Sequence, residues 1–325
     1  MKITSDSVVA MHSAGRSLVE VMIAMALGMV VLLAVSALFV ANKQTSKVTD
    51  DKARMEQEGR LALNLMAFHL RMAGSGALIS SIPALPDKAD ANFKEKKAVI
   101  TNLSGGFSGV TASTEYIRGC SNGFVNNMAT INTLACVPPT NTAADKDALT
   151  MRYVVDAQNG NVSAGGIPVD CLGNAVLPTP DPDNPGVAPD FYVVENRFFV
   201  RNNAVTGTTE LYCLGNGTTP PGNNLVNAEQ PVAENVEQFR VIYGVSSLGG
   251  QNVDQQLTAT QVGVNWDNVI SARLCVVMVS ANNGVATATQ QYRDCDDVLR
   301  VAPDLRLRAV YSSVVTIRAK AAGNL

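Results

Sequence analysis

The stretch Ala14-Gly15-Arg16-Ser17-Leu18-Val19-Glu20-Val21-Met22-Ile23 opens the part of the chain that decides the fold. It leads into an apolar run from Leu18 to Ala41, in which Glu20 is the single charged residue. This run is about as long as one bilayer crossing. A carboxylate inside a membrane segment costs roughly 2.5–3.5 kcal/mol on insertion scales, so a partner or a function should accompany Glu20 unless it stays hydrated at headgroup depth. The sequence therefore predicts a transmembrane anchor with a charge near its start.

One long helix is predicted from Ser17 to about Met72, because this stretch has no proline and only two glycines. Beyond Ala41 the pattern becomes amphipathic. The predicted apolar side carries Val48, Met55, Leu61, Ala62, Leu65, Phe68, His69 and Met72. The predicted polar side carries Lys43, Lys47, Asp50, Asp51, Lys52, Arg54, Glu56, Glu58 and Arg60. Gly74-Ser75-Gly76 is a helix stop signal.

After the glycines the pattern changes to short strands separated by loops rich in Gly, Asn, Thr and Pro. The strand candidates are Ala98–Leu103, Leu149–Val155, Phe191–Val200, Glu210–Leu214, Val236–Tyr243, Ala272–Val279 and Arg308–Ile317. The proline-rich segment Pro178–Gly186 is incompatible with a strand interior and is predicted to be an exposed loop. The predicted fold class is α+β, with the long N-terminal helix packed on a mainly antiparallel β-sheet.

Composition argues against a nucleic-acid partner. The 325 residues carry a formal net charge of −3, and aromatic residues make up 5%. A near-neutral, slightly acidic chain has no overall attraction for phosphate backbones, and few aromatic side chains are available to stack on bases. No nucleic-acid contact is predicted.

All six cysteines follow the apolar segment, and their even number suits an oxidising compartment. They are Cys120, Cys136, Cys171, Cys213, Cys275 and Cys295. Six cysteines allow fifteen pairings. Sequential pairing closes the shortest loops and is therefore the predicted pattern. No CxxC pair is present, so neither a redox-active dithiol nor a zinc ribbon is indicated.

The sequence shows no catalytic, metal or cofactor site. His12 and His69 are the only histidines, and His69 falls on the apolar side of the helix, where a packed histidine is expected. A Ser-His-Asp site or a His-ligated metal beyond the helix is thereby excluded. Two acidic clusters have oxygen ligands for calcium but lack EF-hand spacing, and solvated loop carboxylates are the favoured interpretation. These clusters are Asp181, Asp183 and Asn184, and Asp294, Asp296 and Asp297.

The N-terminal stretch resembles the processing signature of type IV prepilins and of the pseudopilins of type II secretion. In that family a prepilin peptidase cuts after the glycine and N-methylates the new first residue. The resemblance implies cleavage between Gly15 and Arg16, methylation of Arg16, and Glu20 as the fifth mature residue, which sets the register during assembly. The family usually has Phe where this chain has Arg16. The implied organisation is a leader over 1–15, a membrane segment over 16–41, a helix continuation over 42–76 and a periplasmic β-rich domain over 77–325.

Several downstream blocks resemble the PilW group of minor pilins. They are Phe191–Val200, Glu210–Gly215, Val236–Gly244 and Leu307–Arg318. The resemblance implies a pilin-like fold and a non-enzymatic protein that helps to initiate the pilus and lies at or near its tip. It also implies roles in adhesion, twitching and DNA uptake.

The implied partners are other minor pilins, the major pilin, the prepilin peptidase and a tip adhesin. The protein would wait in the inner membrane as a single-pass protein before reaching the cell surface. Its N-terminus is placed in the cytoplasm by the cysteines and the resemblance, because the flanking charges are balanced. Two alternatives stay open: a J-type pseudopilin of type II secretion, and an anchored periplasmic binding protein or enzyme.

Overall fold

The computed structural model describes residues 17–75, 116–130, 133–138, 146–155, 162–163, 165–178, 192–205, 207–218, 225–226, 228–247 and 250–321. By their contacts the residues form two compact units, Met1–Asp50 and Asp51–Leu325. The predicted cleavage site at Gly15 and Arg16, the strand candidate Ala98–Leu103 and most of the loop Pro178–Gly186 lie outside the described residues.

Helix α1 spans Leu18–Met72, which confirms the predicted helix to within one residue. The backbone N–H of Glu20 donates to the carbonyl and the hydroxyl oxygens of Ser17, at 3.1 and 3.3 Å, so Ser17 caps the first turn. Gly74 ends the helix with a φ of +74°, the left-handed conformation that glycine adopts at a helix stop.

Two antiparallel sheets follow the helix. The first, sheet 1, has the order β1-β2-β3-β4-β5, and the second, sheet 2, has the order β11-β8-β6-β7. Strands β9 and β10 form a separate hairpin. The strands are β1 Ile117–Cys120, β2 Ala148–Val155, β3 Tyr192–Asn202, β4 Thr209–Gly215, β5 Gln230–Ala233, β6 Val236–Val245, β7 Gln255–Leu257, β8 Val269–Val279, β9 Gln291–Arg293, β10 Leu299–Val301 and β11 Arg308–Thr316. Three short helices complete the described elements: α2 Ala259–Val262, a 3₁₀ turn Trp266–Asn268 and α3 Arg318–Ala321.

Every predicted strand that falls on described residues is confirmed, with ends that move by one to three residues. The α+β arrangement is confirmed as well, because neighbouring strands pair antiparallel throughout the described part of both sheets. Sequence analysis did not find β1, β5, β7, β9 or β10, which have four residues or fewer and are too short to show an alternating pattern.

The part of α1 within the second unit supplies one wall of the core. Met66 and Leu70 are fully buried and share one cluster with Phe198 of sheet 1 and Leu274 of sheet 2. One helix therefore packs against both sheets, and the core is continuous between them.

The predicted sides of this helix need correction. Leu61 and Phe68 were expected on the packed side, but they are 59% and 41% exposed. Asp51 was expected on the polar side, but it is buried. The buried side runs through Met55 and Ala62, and Asp51 lies one turn before Met55 on that side. Leu61 and Phe68 point away from it, so apolar character alone misplaced them.

Gly59 is the point of closest approach between α1 and sheet 2. A Cβ atom at this position would lie 2.7 Å from Cδ2 of Tyr311 and 3.1 Å from Cγ of Met278. These distances are shorter than van der Waals contact, so only glycine lets the helix lie this close to strands β11 and β8.

Replacing Gly59 by valine should therefore separate the helix from the sheet. We expect Gly59→Val to lower the free energy of unfolding by about 2 kcal/mol, the usual cost of overpacking a core. Urea unfolding of the detergent-solubilised protein measures this. The matched control is Gly28→Val, because no atom lies within 4 Å of a Cβ at Gly28. An unchanged midpoint for Gly59→Val would contradict the packing described.

Candidate functional site

The apolar half of α1 is the most unusual surface of the protein. Its large apolar side chains, from Leu18 at 77% to Val40 at 66% exposed, have no cover within the described chain. A window of this helix reaches a mean hydropathy of 2.7, and by length and composition it is suited to cross a membrane. Burying such side chains is worth about 25 cal/mol per Å², so they require an apolar environment that the chain itself does not supply.

Glu20 lies in the first turn of this helix, three residues after the capping Ser17. Its backbone N–H makes the cap, so the carboxylate is not needed for that bond. A negative charge in the first turn is also favoured by the helix dipole. Sequence analysis singled out Glu20 for its charge and did not notice that Ser17 and Glu20 have the spacing of a capping box.

The C-terminal part of α1 is joined to sheet 1 by a buried polar network around His69. Nδ1 of His69 lies 2.7 Å from the hydroxyl of Tyr153 and 3.1 Å from Nδ2 of Asn196. Oδ1 of Asn196 accepts the backbone N–H of Cys171 at 2.8 Å. Burial lowers the pKa of His69 to about 4, so the ring is neutral at physiological pH. The prediction of a packed histidine is confirmed.

Three disulfides staple the second unit, and they follow the sequential pairing that was predicted. Cys120–Cys136 closes a loop at the end of β1. Cys171–Cys213 attaches the turn that contains Asp170 to β4. Cys275–Cys295 ties the turn after β9 to the face of β8. Such a framework is typical of proteins that fold in an oxidising compartment.

Two buried ion clusters were not found from sequence. In the first, Glu195 lies between Arg197 and Arg152, with Nε of Arg197 at 2.8 Å and Nε of Arg152 at 3.4 Å from its carboxylate oxygens. Burial opposes ionisation, but the two guanidinium groups outweigh it and hold the pKa of Glu195 below its usual value. The arginines occupy alternate positions in strands that otherwise read as half-exposed, so no sequence signal marked them as internal.

The second cluster connects the two sheets. Asp147 accepts Nη1 of Arg240 on Oδ1 and the backbone N–H of Val241 on Oδ2, both at 2.8 Å. Nε of Arg240 also donates to Asp296 at 3.1 Å. Burial raises the pKa of Asp147 to about 7, against the opposing effect of Arg240. Asp147 precedes β2 and Arg240 lies in β6, so this charge pair fixes sheet 1 against sheet 2.

The acidic cluster after β9 is a structural turn. Oδ1 of Asp294 accepts the backbone N–H groups of Asp296 and Val298, each at 2.9 Å, and its Oδ2 accepts Nε of Arg300 at 2.7 Å. Its carboxylate oxygens thus have protein donors, which supports the loop interpretation over a calcium site. The other cluster, Asp181, Asp183 and Asn184, lies outside the described residues.

A pocket of about 250 Å³ lies between the end of β1 and the segment that holds α2 and Trp266. Its lining includes the cystine Cys120–Cys136, the aromatic Trp266 and the hydroxyls of Ser121 and Thr260. These two hydroxyls are 3.0 Å apart and bond to each other. No histidine or carboxylate lines this pocket, so the lining offers no base to activate a hydroxyl.

The architecture defines a class: an α+β protein with one helix apolar and long enough to span a membrane, continued into a disulfide-bonded antiparallel domain. Residues 197–319 match the family model PilW, the type IV pilus-assembly protein W. The match runs from β3 to α3 and includes all of sheet 2. Over these residues the PilW resemblance is confirmed, which supports involvement in type IV pilus assembly and a location in the cell envelope. Comparison with curated proteins and with solved structures gives no match.

The His69 network predicts a specific pH dependence of stability. An unfolded histidine binds its proton near pH 6.5, whereas folded His69 does so only near pH 4. Between these values the unfolded chain binds more protons, so stability falls as the pH falls. The loss should reach about 3 kcal/mol across the window. We expect His69→Gln to remove it, as measured by urea unfolding at several pH values.

Comparing the variant with the wild type isolates His69. Asp147 titrates in an overlapping range with the opposite sign, because its folded pKa of about 7 lies above the unfolded value. Its contribution is common to both proteins and cancels in the difference. Equal pH slopes for the two proteins would show that His69 is not held neutral by burial.

Proposed function

We propose that this protein is a minor pilin that helps to initiate type IV pilus assembly and sits at or near the pilus tip. The observation that carries the proposal is the PilW match over residues 197–319, in a chain whose helix α1 begins with an exposed apolar half. A pilus-assembly family without membrane-capable helices would not need such a surface. In this proposal the protein acts by packing and docking and has no catalytic activity.

The proposed processing removes residues 1–15 by cleavage between Gly15 and Arg16, followed by N-methylation of Arg16. Cleavage leaves a free amine four residues before Glu20. In a parallel assembly the amine of one subunit can lie beside the Glu20 carboxylate of its neighbour, and such a pair in apolar surroundings is strong only when its geometry is met. The pair would therefore fix the axial register between subunits.

The two parts of the chain have separate proposed tasks. The apolar half of α1 holds the protein in the inner membrane and then packs against the helices of other pilins, with the N-terminus cytoplasmic before assembly. The disulfide-bonded unit docks on other minor pilins and on the major pilin, with a tip adhesin as a further partner. A unit that runs from Asp51 to Leu325 suits a cap position, because its bulk would obstruct a repeated one. Adhesion, twitching and DNA uptake would follow from this position.

Deletion of the gene tests the proposal directly. Surface pili are counted by electron microscopy, and twitching and secreted enzymes are assayed in the same strain. We expect loss of pili and of twitching with intact secretion, restored by the gene in trans. Normal pili with lost secretion would identify a J-type pseudopilin, which has the same N-terminal signature. No change in either would favour an anchored periplasmic protein of another kind.

Replacement of the membrane carboxylate tests how the protein enters the filament. We expect Glu20→Ala to remain inserted and folded but to drop at least about tenfold in purified pili, because a lost charge pair of about 1.4 kcal/mol corresponds to that factor. Quantitative immunoblotting of sheared pili against whole cells measures it.

The matched control for this variant is Ser17→Ala. It removes the hydroxyl that caps the first turn, at a cost of about 1 kcal/mol to the helix, but keeps the carboxylate. Ser17→Ala should enter pili normally. If both variants are lost from pili to the same extent, the first turn matters for its helix geometry and not for the charge of Glu20.

A further inference from the structure

Strand β11 forms one edge of sheet 2, and its hydrogen-bonding phase is fixed at both ends. The N–H of Ser280 donates to the carbonyl of Leu307 at 2.8 Å, and the N–H of Ile317 donates to the carbonyl of Ile270 at 2.9 Å. In an uninterrupted antiparallel register the odd-numbered residues therefore bond to β8. The N–H and C=O groups of the even-numbered residues from Val310 to Thr316 point away from the sheet.

The first residue of this edge is closed by a side chain. The amide of Gln290 accepts the N–H of Arg308 at 2.7 Å and donates to its carbonyl at 2.8 Å, as a neighbouring strand would do. Beyond Arg308, no strand or loop of the described chain pairs with the outer side of β11. The open edge is therefore defined as residues 310–316.

The composition of the open edge is that of a strand prepared to pair. Ala309-Val310-Tyr311-Ser312-Ser313-Val314-Val315-Thr316-Ile317 contains no charge, proline or glycine and is rich in β-branched residues. Val314 is 69% exposed. Proteins normally protect such edges with lysine, proline, bulges or a covering segment, because an open edge recruits other strands.

The other described edges show that protection. β7 and β10 have three residues each. β5 contains Pro231, which has no N–H to donate. β1 has four residues, and the cystine Cys120–Cys136 with the segment around Thr260 lies alongside it. Within the described sheets, β11 alone combines length, neutrality and an open edge.

We propose that the open edge of β11 binds an extended segment of a different protein, which adds a strand to sheet 2. Backbone hydrogen bonds to the even-numbered residues would hold it, and small apolar side chains would pack beside Val310 and Val314. Arg306 and the exposed Arg318 flank the edge, so the segment carries acidic residues at its ends. The inference rests on the strand edge alone and goes beyond the proposed function.

Charge argues against a second copy of this chain as the occupant. A closed pair of copies would join edge to edge in an antiparallel manner. In the register that overlaps the whole open edge, Val310 lies opposite Thr316, and Arg308 of each copy lies opposite Arg318 of the other. Arginines then face each other at both ends, whereas an acid-flanked strand meets them with opposite charge.

A synthetic peptide tests the proposal with the full-length protein in detergent. The probe is Asp-Val-Thr-Val-Thr-Val-Asp with a fluorescent label, and its binding is followed by anisotropy. We expect saturable binding. A peptide N-methylated at alternate residues, which loses the donors on one edge, should not bind. A peptide with lysine in place of both aspartates should bind about tenfold more weakly, because two attractions become repulsions.

Variants of the edge give the second arm of the test. Ser312→Pro removes an outward N–H and leaves the bonds of residues 311 and 313 to β8 in place. Val314→Lys adds the charge that protected edges carry. Both should bind the acid-flanked peptide at least about tenfold more weakly, with an unchanged unfolding midpoint. The matched control is Val205→Lys, at a 94% exposed turn between β3 and β4, which should bind normally.

Three results would overturn the proposal. The first is absence of peptide binding to the folded protein, or equal binding of the N-methylated peptide. The second is a lower unfolding midpoint for Ser312→Pro together with no peptide binding, which would mean that the chain already pairs this edge itself. The third is a dimer by sedimentation that Ser312→Pro abolishes and the peptide does not compete with, which would assign the edge to a second copy.

Discussion

The packing of α1 between the two sheets is the interaction on which the rest of the structure depends. The side of the helix from Met55 to Leu70 is buried against residues of both sheets, and Gly59 allows it to approach β11 and β8 closely. Without the helix, each sheet would expose an apolar face. The same helix begins with a run of exposed apolar side chains, so a single element links the folded core to a surface that needs an apolar environment.

Around this core the domain is held by polar interactions that tie distant parts of the chain together. His69 of the helix, Asn196 of β3 and the backbone of Cys171 form one continuous network that ends at a disulfide. Asp147 and Arg240 pair across the two sheets. Breaking one partner of such a buried pair leaves an uncompensated charge, which costs more than the intact pair contributes. These contacts resist rearrangement of the sheets, which suits a domain that has to present a fixed surface to other proteins.

Much of this architecture could be predicted from the sequence, and the exceptions have physical causes. The helix was predicted to within a residue because it lacks proline and is bounded by Ser17 and Gly74, and the longer strands were found from their alternating pattern. Strands such as β7 and β10 are stabilised by their neighbours, not by local preference, so they left no signal. The burial of Asp51 and Arg197 was missed because a charged side chain predicts exposure unless its partner is known, and those partners lie far away in sequence. The open edge of β11 was invisible for a similar reason, since only the topology shows which strand lacks a neighbour.

The central claim is that the apolar half of α1 serves a pilin, and not a protein that is merely anchored. The mass of the intact protein tests this most directly, measured after purification from cells with and without prepilin peptidase. The account predicts a chain that begins at Arg16 when the peptidase is present and an uncut chain when it is absent. An uncut chain in both strains would contradict it and would leave α1 as a simple membrane anchor.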